Sequence, residues 1–214
     1  TLCTQIGPRY AGSAAYDRSA ELIRQQMALA MPETELDWFG LRAWRLLEAP
    51  IFSCAGRSIE CYPAFGSAWP EPNGARGILV HQEGANPFAI VDATSKAVSA
   101  QVNISTYGRA VTGVIDPASE DAHVPTICIG KQDAGALEAA VASQAPVRLH
   151  FKAEFIDDAR TCNVVGTLPG QTDEEILVFA HADTQYNTPG ANDNTATLII
   201  VLMLAHAFSG TRPK

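Results

Sequence analysis

A chain of 214 residues with 47% hydrophobic and 18% charged side chains holds enough apolar material for one large or two small globular domains. Its formal net charge of −8, without a basic run, argues against phosphate-rich partners such as nucleic acid or an anionic membrane surface. Five scattered cysteines, never spaced Cys-x-x-Cys, support neither a disulfide framework nor a structural zinc knuckle, although Cys54 and Cys61 could pair across a hairpin.

In chain order, "GPRYAGSAAYDRSAELIRQQMALA" reads as a loop and then a helix. Ser13 is its N-cap, Ala15, Leu22, Ile23 and Met27 recur at helical spacing, and Pro32 ends it. "TELDWFGLRAW" (Thr34–Trp44) alternates loosely and predicts a strand. From about Leu46 to Pro146 the chain becomes rich in proline and glycine. Four short strands are expected there, in "GRSIECYP", "ARGILVHQ", "RAVTGVID" and "VPTICIG", with helices in "NPFAIVDATSKAVSAQV" and "KQDAGALEAAVASQ". Cys128 within "VPTICIG" fits a small core residue. Such a mixture between simpler flanks suggests a β-rich subdomain of its own.

The last part returns to longer elements. "VRLHFKAEFI" and "TCNVVGTLPG" predict two strands and "EEILVFAHAD" a third, whose run Ile176–Ala180 fits a central strand covered on both faces. "NTATLIIVLMLAHAF" predicts a helix that is apolar almost all round and therefore buried. Its longest apolar run, Leu198–Ala205, is far below the roughly 20 residues that span a bilayer. The chain starts at Thr1 without a signal-like segment, so its true N-terminus is expected further upstream and no compartment can be read.

The expected crevice of an α/β sheet lies beyond the C-terminal ends of its strands. There "HADTQYNTPGAND" places His181, Asp183 and Asp193 within thirteen residues. Extended backbone puts positions 181 and 183 on one side. A metal-bound imidazole usually gives its other N–H to a carboxylate, a part that Asp183 suits, although its position also allows it to be a direct ligand, and a carboxylate such as Asp193 has two oxygens with which to bridge two cations. The alternative is a polar loop, with Asp193 as a helix cap and Asp183 as a turn residue.

"HADTQYNTPGANDNTAT" resembles the His-x-Asp…Gly-Ala-Asn-Asp signature of the co-catalytic zinc aminopeptidases, the family that includes aminopeptidase Y, glutamate carboxypeptidase and glutaminyl cyclase. "TCNVVGTLPG" resembles the strand before that signature, and "GPRYAGSAAYDRSAELI" the family's N-terminal Arg-x-Ala-Gly-Ser and helix. The stretch with "HVPTICIGKQDAGALEAAV" is similar to a protease-associated insert. The resemblance implies a truncated three-layer α/β/α zinc-peptidase domain, residues 1–45 and 147–214, interrupted by a β-rich insert at 46–146. It also implies His181 as a zinc ligand, Asp193 as the bridging ligand of two zincs and Asp183 as the acid that orients His181.

Two departures matter. Thr197 stands where the family usually has glycine, and the chain ends before the next strand, where the family supplies its Glu-Glu pair with the general base. Glu174 and Glu175 precede the expected third strand, and His81, His123, His150 and His206 have no ligand-like spacing. The expectation is an N-terminal portion of a peptide hydrolase that binds zinc weakly and is inactive alone. A missing segment or a second copy would cover its sheet edge. A non-catalytic binding module, a carboxypeptidase, an amide deacylase or a glutaminyl cyclase are the other readings.

Overall fold

The computed structural model describes residues 1–70, 72–115 and 123–211. Asp116, the last residue of the strand expected in "RAVTGVID", and residues 212–214 lie outside the described residues. The fold is α/β, with an open mixed sheet of eight strands in the order β2-β1-β8-β4-β5-β6-β7-β3. These strands are β1 (Glu33–Cys54), β2 (Arg57–Ile59), β3 (Cys61–Pro63), β4 (Ala75–His81), β5 (Phe88–Val91), β6 (Val98–Ile104), β7 (Thr126–Ile129) and β8 (Pro146–Thr167). The chain divides into two compact units, one of residues 1–43 with 157–214 and the other of residues 44–156.

The first unit contains α1 (Ala14–Ala28), capped as its sequence implies by the Ser13 hydroxyl, which accepts the N–H of Tyr16 at 3.1 Å. Its buried face is Tyr16, Ala20, Ile23 and Met27, a helical stripe. Ile23 packs with Leu2 and Leu198, Met27 with Ala30 and Ala205, and Tyr16 with Ala20 and Cys162. The two strands expected at 147–156 and 161–170 are one continuous strand, β8. The run Asp157–Arg160, which looks like a break in the apolar pattern, holds charges that find partners on β1. Asp157 pairs with Arg42 at 2.7 Å, and the guanidinium of Arg160 stands 4.5 Å from the ring centre of Trp38.

Two further expectations fail in this unit. The third strand is absent: residues 174–183 form no ladder, and Ile176 and Phe179 are 87% and 78% exposed. An apolar run makes a central strand only when neighbours pair with its backbone, and no described strand does so. The last helix exists as α3 (Thr197–Phe208) but is not enveloped, since only Leu198 and Ala205 are buried while Ile200, Met203 and Phe208 face solvent. It meets α1 along one side only. No helix among the described residues is long and apolar enough to cross a membrane.

Tyr16 gives the first unit a pH dependence. Its hydroxyl donates to the Cys162 carbonyl at 2.8 Å, and burial, helped by the nearby Cys162 and Asp183, pushes its pKa up to about 12. The unfolded chain loses the phenolic proton above about pH 10 and the folded one near pH 12. The unfolded state then binds fewer protons, and stability falls across that window by about 2 kcal/mol. Urea unfolding at pH 8 and pH 11.5 is expected to show this loss in the wild type and a smaller one in Tyr16→Phe.

In the second unit Phe88, Ile90, Val102, Ile127, Ile129 and Leu137 are almost wholly buried. The expected helix over 86–102 is instead the antiparallel pair β5–β6. Its turn is tied by Asp92, whose carboxylate accepts the N–H groups of Ser95 and Thr94 at 2.7 and 3.0 Å. Those bonds, Ser95's first, hold its carboxyl below the usual range. The turn leaves "FAIV" and the valines of β6 free to behave as the β-formers they are. The strand expected in "RAVTGVID" reduces to one bridge between Val114 and Phe65. The second expected helix is present as α2 (Ala134–Ser143). All five thiols are free, so Cys54 and Cys61 do not pair, and burial pushes the Cys61 thiol up to about 12.

Candidate metal centre

His181 follows the exposed apolar run, and its imidazole stands between two carboxylates. Nδ1 lies 3.1 Å from Asp183 Oδ1, and Nε2 lies 2.9 Å from Asp193 Oδ1. The first contact is local, between side chains two residues apart. The second depends on the turn at 188–196, which returns the chain toward His181. Gly190 takes φ +61° there, and Ala191–Ala196 form an irregular turn in which Asp193 and Asn194 leave helical dihedrals. The peptide bond between those two residues is cis.

A neutral imidazole carries one N–H. If Nδ1–H donates to Asp183, the lone pair of Nε2 faces an oxygen of Asp193. That face-off needs positive charge between the two atoms, supplied by a second proton or by a metal cation. Imidazole nitrogen and carboxylate oxygen are both ordinary zinc donors, so the pair fits a metal. It does not complete a site: among the described residues no group of three potential metal ligands occurs.

The remaining candidates stand elsewhere. His81 pairs with Glu138 at 3.2 Å and His150 with Glu48 at 2.9 Å, both within the second unit. His206 is exposed in the last turn of α3, and Glu174 and Glu175 are exposed before the apolar run. His123 is exposed as well. Thr197 is the first residue of α3.

Sequence reasoning did not find the residue that ties this loop together. Arg9 is 0% exposed, and its guanidinium donates to the Ala182 carbonyl at 2.7 Å, the Pro189 carbonyl at 3.0 Å and Thr195 Oγ1 at 2.6 Å. Its backbone N–H donates to Thr184 Oγ1 at 2.9 Å, and its carbonyl accepts the Thr184 N–H at 3.1 Å. Burial lowers its pKa, while Cys3 and Asp183 nearby oppose the shift. The signal in the sequence is the Arg-x-Ala-Gly-Ser stretch of residues 9–13, which marks the arginine without giving it a role.

Residues 163–214 match the family model described as Peptidase family M28. The fold is similar to a zinc aminopeptidase from Bacillus subtilis, with a TM-score of 0.69 at 22% identity over 99% of this chain and 56% of that one. It is also similar to an aminopeptidase from Aneurinibacillus sp. strain AM-1, with a TM-score of 0.60 at 18% identity over 97% of this chain and 56% of that one. A peptidase M28 precursor from Shewanella amazonensis gives a TM-score of 0.76 at 17% identity over 96% of this chain and 57% of that one. The chain therefore spans little more than half the length of these structures. A search of curated proteins found no match. The family match and the shared fold bear out the resemblance to the co-catalytic zinc aminopeptidases.

Proposed function

We propose that this chain furnishes part of the metal centre of a zinc-dependent peptidase, an aminopeptidase acting on peptide N-termini. The observation that carries the proposal is the His181 ring held between Asp183 and Asp193, inside the segment that matches the peptidase family. In this reading His181 Nε2 and Asp193 would hold zinc, with Asp193 as the bridging carboxylate, and Asp183 would accept a hydrogen bond from Nδ1–H and fix the tautomer. Bound zinc would polarise a peptide carbonyl and lower the pKa of water. Two donors fall short of the three protein ligands usual at a catalytic zinc, so the other donors and the general base come from outside the described residues. The chain alone is then a weak zinc binder without turnover.

Residues 46–146 would be a protease-associated-like insert, and the partner would be a peptide with a free amino group. The second reading is a non-catalytic peptide-binding module, in which residues 46–146 engage the peptide. A carboxypeptidase, amide deacylase or cyclase would use the same metal pair and differ in the substrate pocket.

Zinc titration of the 214-residue chain by calorimetry tests the proposal, beside the variants His181→Ala and Asp193→Asn. The wild type is expected to bind zinc, and each variant to lose at least about tenfold in affinity. Binding that survives both substitutions, or no binding by the wild type at all, would exclude the metal reading.

A further inference from the structure

We propose that Arg9 is a positioning residue for the His181–Asp193 pair, with Thr195 as the hydroxyl through which it holds the Asp193 arm. The proposal rests on the metal reading above and concerns residues that this reading does not use. His181 and Asp193 are separated by a loop whose ends must stay together if the two side chains are to meet. One guanidinium reaches both ends. Nε binds the carbonyl of Ala182, the residue after His181, while Nη1 binds the Pro189 carbonyl and Nη2 the hydroxyl of Thr195, two residues after Asp193.

Thr195 Oγ1 is fully engaged. It accepts from Arg9 at 2.6 Å and from the Cys3 thiol at 3.3 Å, and it donates to the Gly190 carbonyl at 2.7 Å. The Thr195 N–H reaches the same carbonyl at 3.0 Å. Gly190, Asp193 and Thr195 therefore move as one piece, and that piece is moored to Arg9. The planar fork of donors is what the geometry requires, because three acceptors in three directions exceed the reach of a compact ammonium. A fully buried cation whose hydrogen-bond partners are the carbonyls of Gly7, Ala182 and Pro189 and the hydroxyl of Thr195, with no carboxylate among them, is costly to keep. Its position between the ends of the ligand-bearing loop supplies the reason.

Three variants of the full chain, Arg9→Lys, Thr195→Val and Thr195→Ser, separate positioning from plain structural support. The readouts are affinity for zinc alone and amide hydrogen exchange. Arg9→Lys and Thr195→Val are expected to lose ten- to a hundredfold in zinc affinity, the range typical of residues that orient metal ligands. Thr195→Ser, which keeps the hydroxyl, should stay close to the wild type. Exchange should quicken at residues 183–195 and remain unchanged in α1. Should Arg9→Lys fail to fold, the nearly isosteric Thr195→Val carries the test alone.

Wild-type zinc affinity in folded Thr195→Val, or an equal loss in Thr195→Ser, overturns the proposal. So does exchange that quickens over the whole unit rather than in the loop. If the wild type binds no zinc, the metal reading fails by itself. Local quickening at 183–195 in Thr195→Val then still supports the positioning of the pair, and its absence overturns it.

Discussion

Replacing Gly190 with alanine is expected to separate His181 from Asp193 and to destabilise the unit of residues 1–43 and 157–214 by about 3 kcal/mol or more. Two costs combine. At φ +61° any L side chain is strained, by about 1 kcal/mol for a single left-handed residue. An alanine Cβ would also lie 2.2 Å from Thr184 Cγ2 and 2.6 Å from the Asp193 carbonyl oxygen. Thr184 cannot retreat, because it is buried and bonded to Arg9 through both its hydroxyl and its N–H. The Asp193 backbone cannot retreat without carrying its carboxylate away from the imidazole. Gly56 is the control: its φ is +77°, but an added Cβ would meet nothing within 4 Å, so Gly56→Ala should cost only the strain. Hydrogen exchange of loop amides and zinc titration measure the first effect. Gly190→Ala with wild-type values in both would show that the loop can re-form by another route.

The second large effect lies in the other unit. Trp44→Ala is expected to lower the stability of residues 44–156 by about 3–5 kcal/mol, the usual range for emptying a large aromatic site. Trp44 is 1% exposed and packs on Phe65, with ring centres 5.5 Å apart. Its Nε1–H donates to the Ser67 carbonyl at 2.9 Å. Ser67 in turn accepts the N–H of Thr126, where β7 begins, at 2.8 Å. The indole therefore fills space and also anchors the segment that receives β7. Trp44→Phe retains most of the volume and leaves the Ser67 carbonyl without that donor, so it should cost about 1–3 kcal/mol. Urea unfolding of the two variants separates these contributions, and equal losses would mean that the hydrogen bond rather than the volume dominates.

Elements set by local chemistry were readable from the residues. The Ser13 cap and the apolar stripe of α1 need only neighbours three and four positions away, and α2 and β4 are similarly local. The stretch at 86–102 misled because its apolar spacing suits either period, and the deciding feature is a side-chain turn at Asp92. Asp157–Arg160 misled in the opposite direction, since charges in mid-strand look like a loop until their partners on β1 are known. At the candidate site the ligand-type residues were visible as a motif. Arg9 stands in the Arg-x-Ala-Gly-Ser stretch, but its role was not legible, because its guanidinium acts mainly on main-chain carbonyls more than 170 residues away, and a carbonyl carries no residue identity.

The bare side chains of Ile176–Phe179 and the open face of α3 have a thermal consequence. Apolar surface that stays wet in the folded state adds nothing to the heat capacity of unfolding. The first unit draws its apolar burial from small clusters around Ile23, Tyr16 and Met27, whereas residues 44–156 bury many more aromatic and aliphatic side chains almost completely. The stability of the first unit is therefore a shallow function of temperature, flat toward the cold, and that of the second a sharply curved dome. One polypeptide carries both curves, and the loop of His181 and Asp193 lies on the shallow one.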